Sequence, residues 1–152
     1  MDFLDVKLRG QDYRMAYMDV APVVQPNGQV VVLFHGMNFF AAAFRPTIEA
    51  LRARGFRVIA VDRLGYGRSS KPLIHYNLHI PVRNTKELLD KLGIERAAIV
   101  GHSMGGMVAT RFASTYPRTT THVVMVNQIG LTDTRHGRPW TDPELTYQSV
   151  LN

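Results

Sequence analysis

The sequence predicts an α/β domain, with a mainly parallel sheet of about six strands flanked by helices. Three observations carry that expectation. The runs Val30-Val31-Val32-Leu33-Phe34, Arg57-Val58-Ile59-Ala60-Val61 and Ala97-Ala98-Ile99-Val100 are short, apolar and rich in β-branched residues, as central parallel strands buried on both faces are. Segments with apolar residues at helical spacing alternate with them. Between the third run and the helical segment after it stands Gly101-His102-Ser103-Met104-Gly105, a G-x-S-x-G pattern at a strand-to-helix turn.

The elements follow in order. Phe3 to Leu8 and Tyr13 to Val20 alternate as two strands of a hairpin, joined by a turn at Gly10-Gln11-Asp12. Pro22, Pro26, Asn27 and Gly28 mark a loop before the strand at Val30 to Phe34. A helix is expected from about Phe44 to Ala53, with Ile48 and Leu51 inward and Gly55 as its stop, and Arg57 to Val61 completes a βαβ crossover. Asp62 to Pro72 is a glycine- and serine-rich turn, and a helix follows through Thr85, Leu88, Leu89 and Leu92, with Pro81 in its first turn and Gly93 at its end. Met107, Val108, Phe112 and Tyr116 give the next helix its apolar face, and Pro117 ends it. His122 to Val126 reads as the last strand. Thr141-Asp142-Pro143-Glu144-Leu145 offers a cap and a proline at the first helical position, so a short helix is expected to begin there.

Composition bounds the function. The chain has 152 residues, 45% hydrophobic and 20% charged, which suits one globular domain and excludes disordered or collagenous classes. Without cysteine it has no disulfide, thiolate metal site or cysteine nucleophile, and a reducing cytoplasm is the expected setting. No apolar run approaches the roughly 20 residues that span a bilayer. The net charge of +6 comes from arginines scattered along the chain without a basic run or an RNA-binding aromatic motif, so a nucleic-acid partner is not expected.

The chemistry centres on Ser103. A serine hydroxyl needs a base to remove its proton, and the oxyanion it creates on a carbonyl substrate needs N–H donors. A serine held in a tight turn between strand and helix projects its oxygen toward substrate. One donor is expected to be the N–H of Met104, at the start of the helix, and the second that of Met37, in the loop after His35-Gly36. Asn38, Phe39 and Phe40 are expected to line the substrate pocket beside that loop, although the Phe and Met side chains there suit a core wall equally well.

These motifs resemble those of the α/β-hydrolase fold family. His35-Gly36-Met37 is similar to its oxyanion loop, Asp62-x-x-Gly65-x-Gly67-x-Ser69 to its turn after the fourth strand, and Gly101 to Gly105 to its nucleophile elbow, in the same order and at similar intervals. The resemblance implies an N-terminal part of the hydrolase core over residues 1–129, lacking the last two strands, with residues 130–152 as the start of a helical cap or tail. It also implies hydrolysis of a small ester, thioester or amide through an acyl-enzyme on Ser103, with no cofactor and no metal. In the family the triad acid and histidine follow the serine. Here the one Asp-then-His pair after Ser103 is Asp133 and His136, offered as acid and base, while Asn127-Gln128 are amides and supply no carboxylate.

Other histidines have structural readings. His35 is expected to tether its loop, His102 to pack away from the hydroxyl, and His122 to lie on the wrong side of the sheet for chemistry. His75 and His79 are four apart, but no glutamate accompanies them and Pro81 disrupts the helix a metal pair needs. Asp62 is expected to bind backbone N–H groups of the Gly65 to Ser69 loop. A strand at Val123, Val124 and Val126 with no neighbour beyond it is expected to form an open apolar edge and to promote self-association. The competing functions are a hydrolase portion without catalytic competence and a small-molecule binding protein on the same fold.

Overall fold

The computed structural model describes residues 1–131 and Gln148. Six strands form one sheet in the order β1-β2-β4-β3-β5-β6, with β1 Asp2–Leu8, β2 Gln11–Val20, β3 Val30–Phe34, β4 Arg57–Val61, β5 Ala97–His102 and β6 Thr120–Val126. β1 pairs antiparallel with β2, and β2 antiparallel with β4. The remaining strands run parallel, so the expected α/β architecture is present. The expected helix at Thr141 to Leu145 and the expected cap beyond residue 131, Asp133 and His136 included, lie outside the described residues apart from Gln148.

The hairpin turn differs from the expectation. Leu8 pairs with Gln11, leaving Arg9 and Gly10 as the two turn residues, at φ 50° and 77°. Positive φ at both central positions matches the right-handed twist of the strands. An arginine at the first of them is not a recognised turn signal, so Gln11 and Asp12 read as loop when they are strand.

Within residues 1–131, three helices flank the sheet: α1 Arg45–Arg52, entered through a 3₁₀ turn at Ala41–Phe44, α2 His79–Lys91 and α3 Met104–Thr115. Strand alternation sorts the core into two layers. Val32, Phe34, Ile59, Val61 and Ile99 face α2 and α3, where they meet Val82, Leu88, Leu89, Val108 and Phe112. Val31, Leu33, Val58 and Ala60 point the other way, onto Ile48 of α1 and Ala41. Both faces of β3 and β4 are therefore buried, as their unbroken apolar sequences require.

β6 has the same kind of sequence and a different environment. Val123, Val124, Met125 and Val126 are 38%, 46%, 49% and 43% exposed at the edge of the sheet, where no described strand lies beyond them. Among the described residues no helix is long and apolar enough to cross a membrane.

Candidate active site

Ser103 occupies the single position between the end of β5 and the start of α3, at φ 54° and ψ −120°. A residue with a β-carbon is strained there by an order of 1 to 3 kcal/mol, and it stays only if the surroundings hold it. The Ser103 N–H donates to the Val126 carbonyl at 2.9 Å, and the Ser103 carbonyl accepts from Gly106 N–H at 3.0 Å. The glycines of the motif have a steric cause. A β-carbon on Gly101 would overlap the Gly105 carbonyl, and one on Gly105 would overlap the Phe34 carbonyl oxygen of β3. Elbow and sheet are packed backbone to backbone.

The loop after β3 is seated against this elbow. A β-carbon on Gly36 would lie 3.2 Å from both Ser103 Cβ and His102 Nδ1, which places the loop directly beside the serine. The Met37 and Met104 N–H groups have no acceptor among the described residues. His102 packs edge-on against Phe39, with ring centroids 6.0 Å apart, in the packing role its position suggests. Ser103 Oγ has no hydrogen-bond partner among the described residues.

Beneath the loop lies a buried network. The Arg63 N–H donates to His35 Nε2 at 3.2 Å, so that nitrogen carries no proton in the neutral ring and Nδ1–H donates to the Gly36 carbonyl at 2.7 Å. An Arg63 guanidinium nitrogen also donates to the Gly36 carbonyl, at 3.1 Å. His35 and Arg63 are 1% and 4% exposed. Burial, and then the adjacent Arg63 charge, lower the His35 pKa to about 4, so the ring is neutral at pH 7. Burial also lowers the Arg63 pKa, with Tyr66 opposing it. His35 thus tethers its loop as expected; the part played by Arg63 carries no signal in the sequence, where it is the unspecified residue after Asp62.

Asp62 binds the turn that follows it through Arg68 N–H, at 2.8 Å, as expected. Its other oxygen accepts from Ala41 N–H at 2.6 Å, so one carboxylate ties the β4 turn to the chain just beyond the loop after β3.

A cavity of about 570 Å³ opens beside the elbow, lined in part by Asn38, Met104, Leu64, Tyr66, Tyr76 and Leu78. Asn38 and Met104 both line it. Phe39 and Phe40, grouped with Asn38 from the sequence, do not line this cavity. Phe39 covers His102 in a separate cleft, and Phe40 lies in a third groove with Arg45 and Arg68. The reason is local. Asn38 takes φ 61° and turns the chain, so residues on either side of it point to different faces. The tyrosine and leucine walls come from the β4 turn and the approach to α2, far away in sequence.

His79 is the first residue of α2 and lies 3.2 Å from the Arg111 guanidinium, a cationic neighbour unsuited to a metal ligand. Gln128 lies over Gly106 and meets Thr110 at 3.4 Å, which ties the chain after β6 to α3.

A serine between strand and helix, with the loop after β3 seated against it, on a mainly parallel sheet flanked by helices, is the arrangement of an α/β-hydrolase fold. The family model for the alpha/beta hydrolase fold matches residues 29–148, and the chain belongs to that family. Its structure superposes on a probable hydrolytic enzyme from Pseudomonas aeruginosa PAO1 with a TM-score of 0.90 and 45% identity, over 97% of this chain and 48% of that one. An uncharacterised Mycobacterium tuberculosis protein is 35% identical over 120 residues, 79% of this chain and 33% of the relative. Epoxide hydrolase B of Mycobacterium tuberculosis is 41% identical over 92 residues, 59% of this chain and 26% of its own. The chain thus spans about half or less of the length of each.

Proposed function

We propose that this chain carries the nucleophile and oxyanion half of a serine hydrolase acting on a small acyl substrate. The observation that carries the reading is Ser103 at positive φ between β5 and α3, with the Gly36 loop against it. In this reading Ser103 Oγ attacks the carbonyl carbon while a base takes its proton. The Met37 and Met104 N–H groups stabilise the oxyanion, and the leaving alcohol, thiol or amine departs with a proton. Water then cleaves the acyl-enzyme ester and restores the serine. No cofactor enters these steps.

Neither His35 nor His102 serves as the base in this reading: His35 is tied to Arg63 and Gly36, and His102 packs on Phe39. The role falls to His136 with Asp133 as its acid, or to a histidine supplied from outside this chain. The cavity walls of Leu64, Leu78 and two tyrosines, with Arg63 and Lys71 among the lining, favour a substrate that is partly apolar and carries a polar or anionic group.

The likeness to an epoxide hydrolase raises a second reading, in which an epoxide is opened. The nucleophile argues against it. A serine oxygen that opened an epoxide would form an alkyl ether, which water does not cleave under enzymatic conditions, whereas an acyl-serine ester returns to the free enzyme. Acyl transfer is the chemistry this residue can complete.

The test is covalent labelling with a fluorophosphonate, in which Ser103 displaces fluoride and gains a phosphonyl ester. Intact mass spectrometry should show one adduct on the wild type and none on Ser103→Ala. No adduct on the folded wild type would replace this reading with an inert or ligand-binding hydrolase fold.

A further inference from the structure

The network beneath the oxyanion loop assigns work to Arg63 beyond holding the chain in place. The Gly36 carbonyl and the Met37 N–H are two ends of one amide group. Resonance couples them, so electron density drawn toward the oxygen leaves the N–H more acidic and a stronger donor. Three donors converge on that oxygen: His35 Nδ1 at 2.7 Å, the Arg63 guanidinium at 3.1 Å and the Phe39 N–H at 3.4 Å.

Arg63 brings a charge as well as a hydrogen bond. The guanidinium is 4% exposed, and no carboxylate pairs with it among the described residues. Its Nε is buried without a partner, and its charge rests over the Tyr66 ring, 4.7 Å from the centroid. Burying a cation in this way is costly, and a neutral donor would satisfy the Gly36 carbonyl equally well. Asp62 is adjacent in sequence, but its carboxylate is committed to Ala41 and Arg68. With His35 neutral, the positive field behind this peptide comes from Arg63, where solvent screens it little.

We propose that Arg63 is a positioning residue for the oxyanion site: its guanidinium orients and polarises the Gly36–Met37 peptide, strengthening the Met37 N–H toward the oxyanion formed at Ser103. This rests on the reading of Met37 as an oxyanion donor, and it adds Arg63, which also lines the cavity beside the elbow, as a group that acts through that peptide. The group stabilised is the negative oxygen of the tetrahedral intermediate, so Arg63 acts on the chemical step and leaves ground-state binding nearly unchanged.

The experiment compares wild type with Arg63→Gln, which keeps a donor and loses the charge, and Arg63→Lys, which keeps the charge. Two signals are read: the amide proton shift of Met37 in ¹⁵N-labelled protein, and the saturation kinetics of fluorophosphonate labelling. The expected result for Arg63→Gln is an upfield Met37 amide and a maximal labelling rate about tenfold lower, with half-saturation unchanged. Arg63→Lys should recover most of both, as should guanidinium ion added to Arg63→Ala if Arg63→Gln fails to fold. An unmoved Met37 amide in folded Arg63→Gln, or a labelling loss confined to half-saturation, would overturn the proposal. If wild type is not labelled at all, the hydrolase reading fails by itself, and the Met37 amide still reports whether Arg63 polarises the peptide.

Discussion

The Ser103 N–H donates to the Val126 carbonyl across 2.9 Å, so the turn that presents Ser103 hangs on the last residue of the exposed edge strand. Edge and elbow are mechanically one unit. Whatever orders β6 also orders Ser103.

Among the described residues the β6 edge has no strand beyond it and presents four adjacent apolar residues, a surface that suits pairing with another strand. We expect a second copy of the chain to associate through it, giving concentration-dependent mass in size-exclusion chromatography with light scattering. Val124→Lys, on the exposed strand, should return the chain to monomer. A wild type that stays monomeric at millimolar concentration would contradict this.

Glycines of the elbow should differ in tolerance. At Gly105 an added methyl meets the Phe34 backbone, which cannot move without disturbing β3, so Gly105→Ala should destabilise by about 3 kcal/mol or more. At Gly106 the obstacle is Gln128, whose Cβ and Cγ would both lie 2.8 Å away; Cγ can turn aside but Cβ moves only with the chain after β6, so Gly106→Ala should cost about 2 kcal/mol, less than a clash with a central strand. Urea denaturation midpoints of the two variants check the order.

Strain at Ser103 can be measured by removing it. Ser103→Ala and Ser103→Gly both lose the hydroxyl and both should lose labelling. Only the glycine also loses the β-carbon that makes φ 54° unfavourable. Ser103→Gly should therefore be more stable than Ser103→Ala by about 1 kcal/mol in thermal or urea unfolding. Equal stability would mean that the backbone is relaxed.

Acid should weaken the fold through His35. The unfolded chain takes up this proton near pH 6.5 and the folded chain only near pH 4, because burial and Arg63 oppose the imidazolium while Asp62 offsets them in part. Protons thus favour the unfolded state across that interval. Stability from this group is complete above about pH 6.5 and falls by an order of 3 kcal/mol as pH drops to about 4. Replacing the ring by His35→Gln should flatten this part of the stability profile against pH.

Much of the fold is legible along the chain because periodicity reports burial directly. Val30 to Phe34 and Arg57 to Val61 are unbroken apolar runs that the sheet buries on both faces, and Pro117 and Gly93 end helices by backbone chemistry alone. The hairpin turn was less legible, since Arg9 accepts positive φ only under the pull of strand twist on both sides.

The site divides along the same line. By itself the sequence determined the elbow, because G-x-S-x-G is a local steric solution: the backbone approaches too closely for any side chain at Gly101 or Gly105. It likewise placed His35-Gly36 and Asp62, whose hydrogen bonds begin in their own turns. Only the tertiary structure decided that Asn38 and Met104 share a cavity while Phe39 and Phe40 leave it, and that Arg63 reaches the Gly36 carbonyl 27 residues away. Those relations depend on which parallel strands lie side by side, and strand order in a sheet is set by long-range packing that no local pattern encodes.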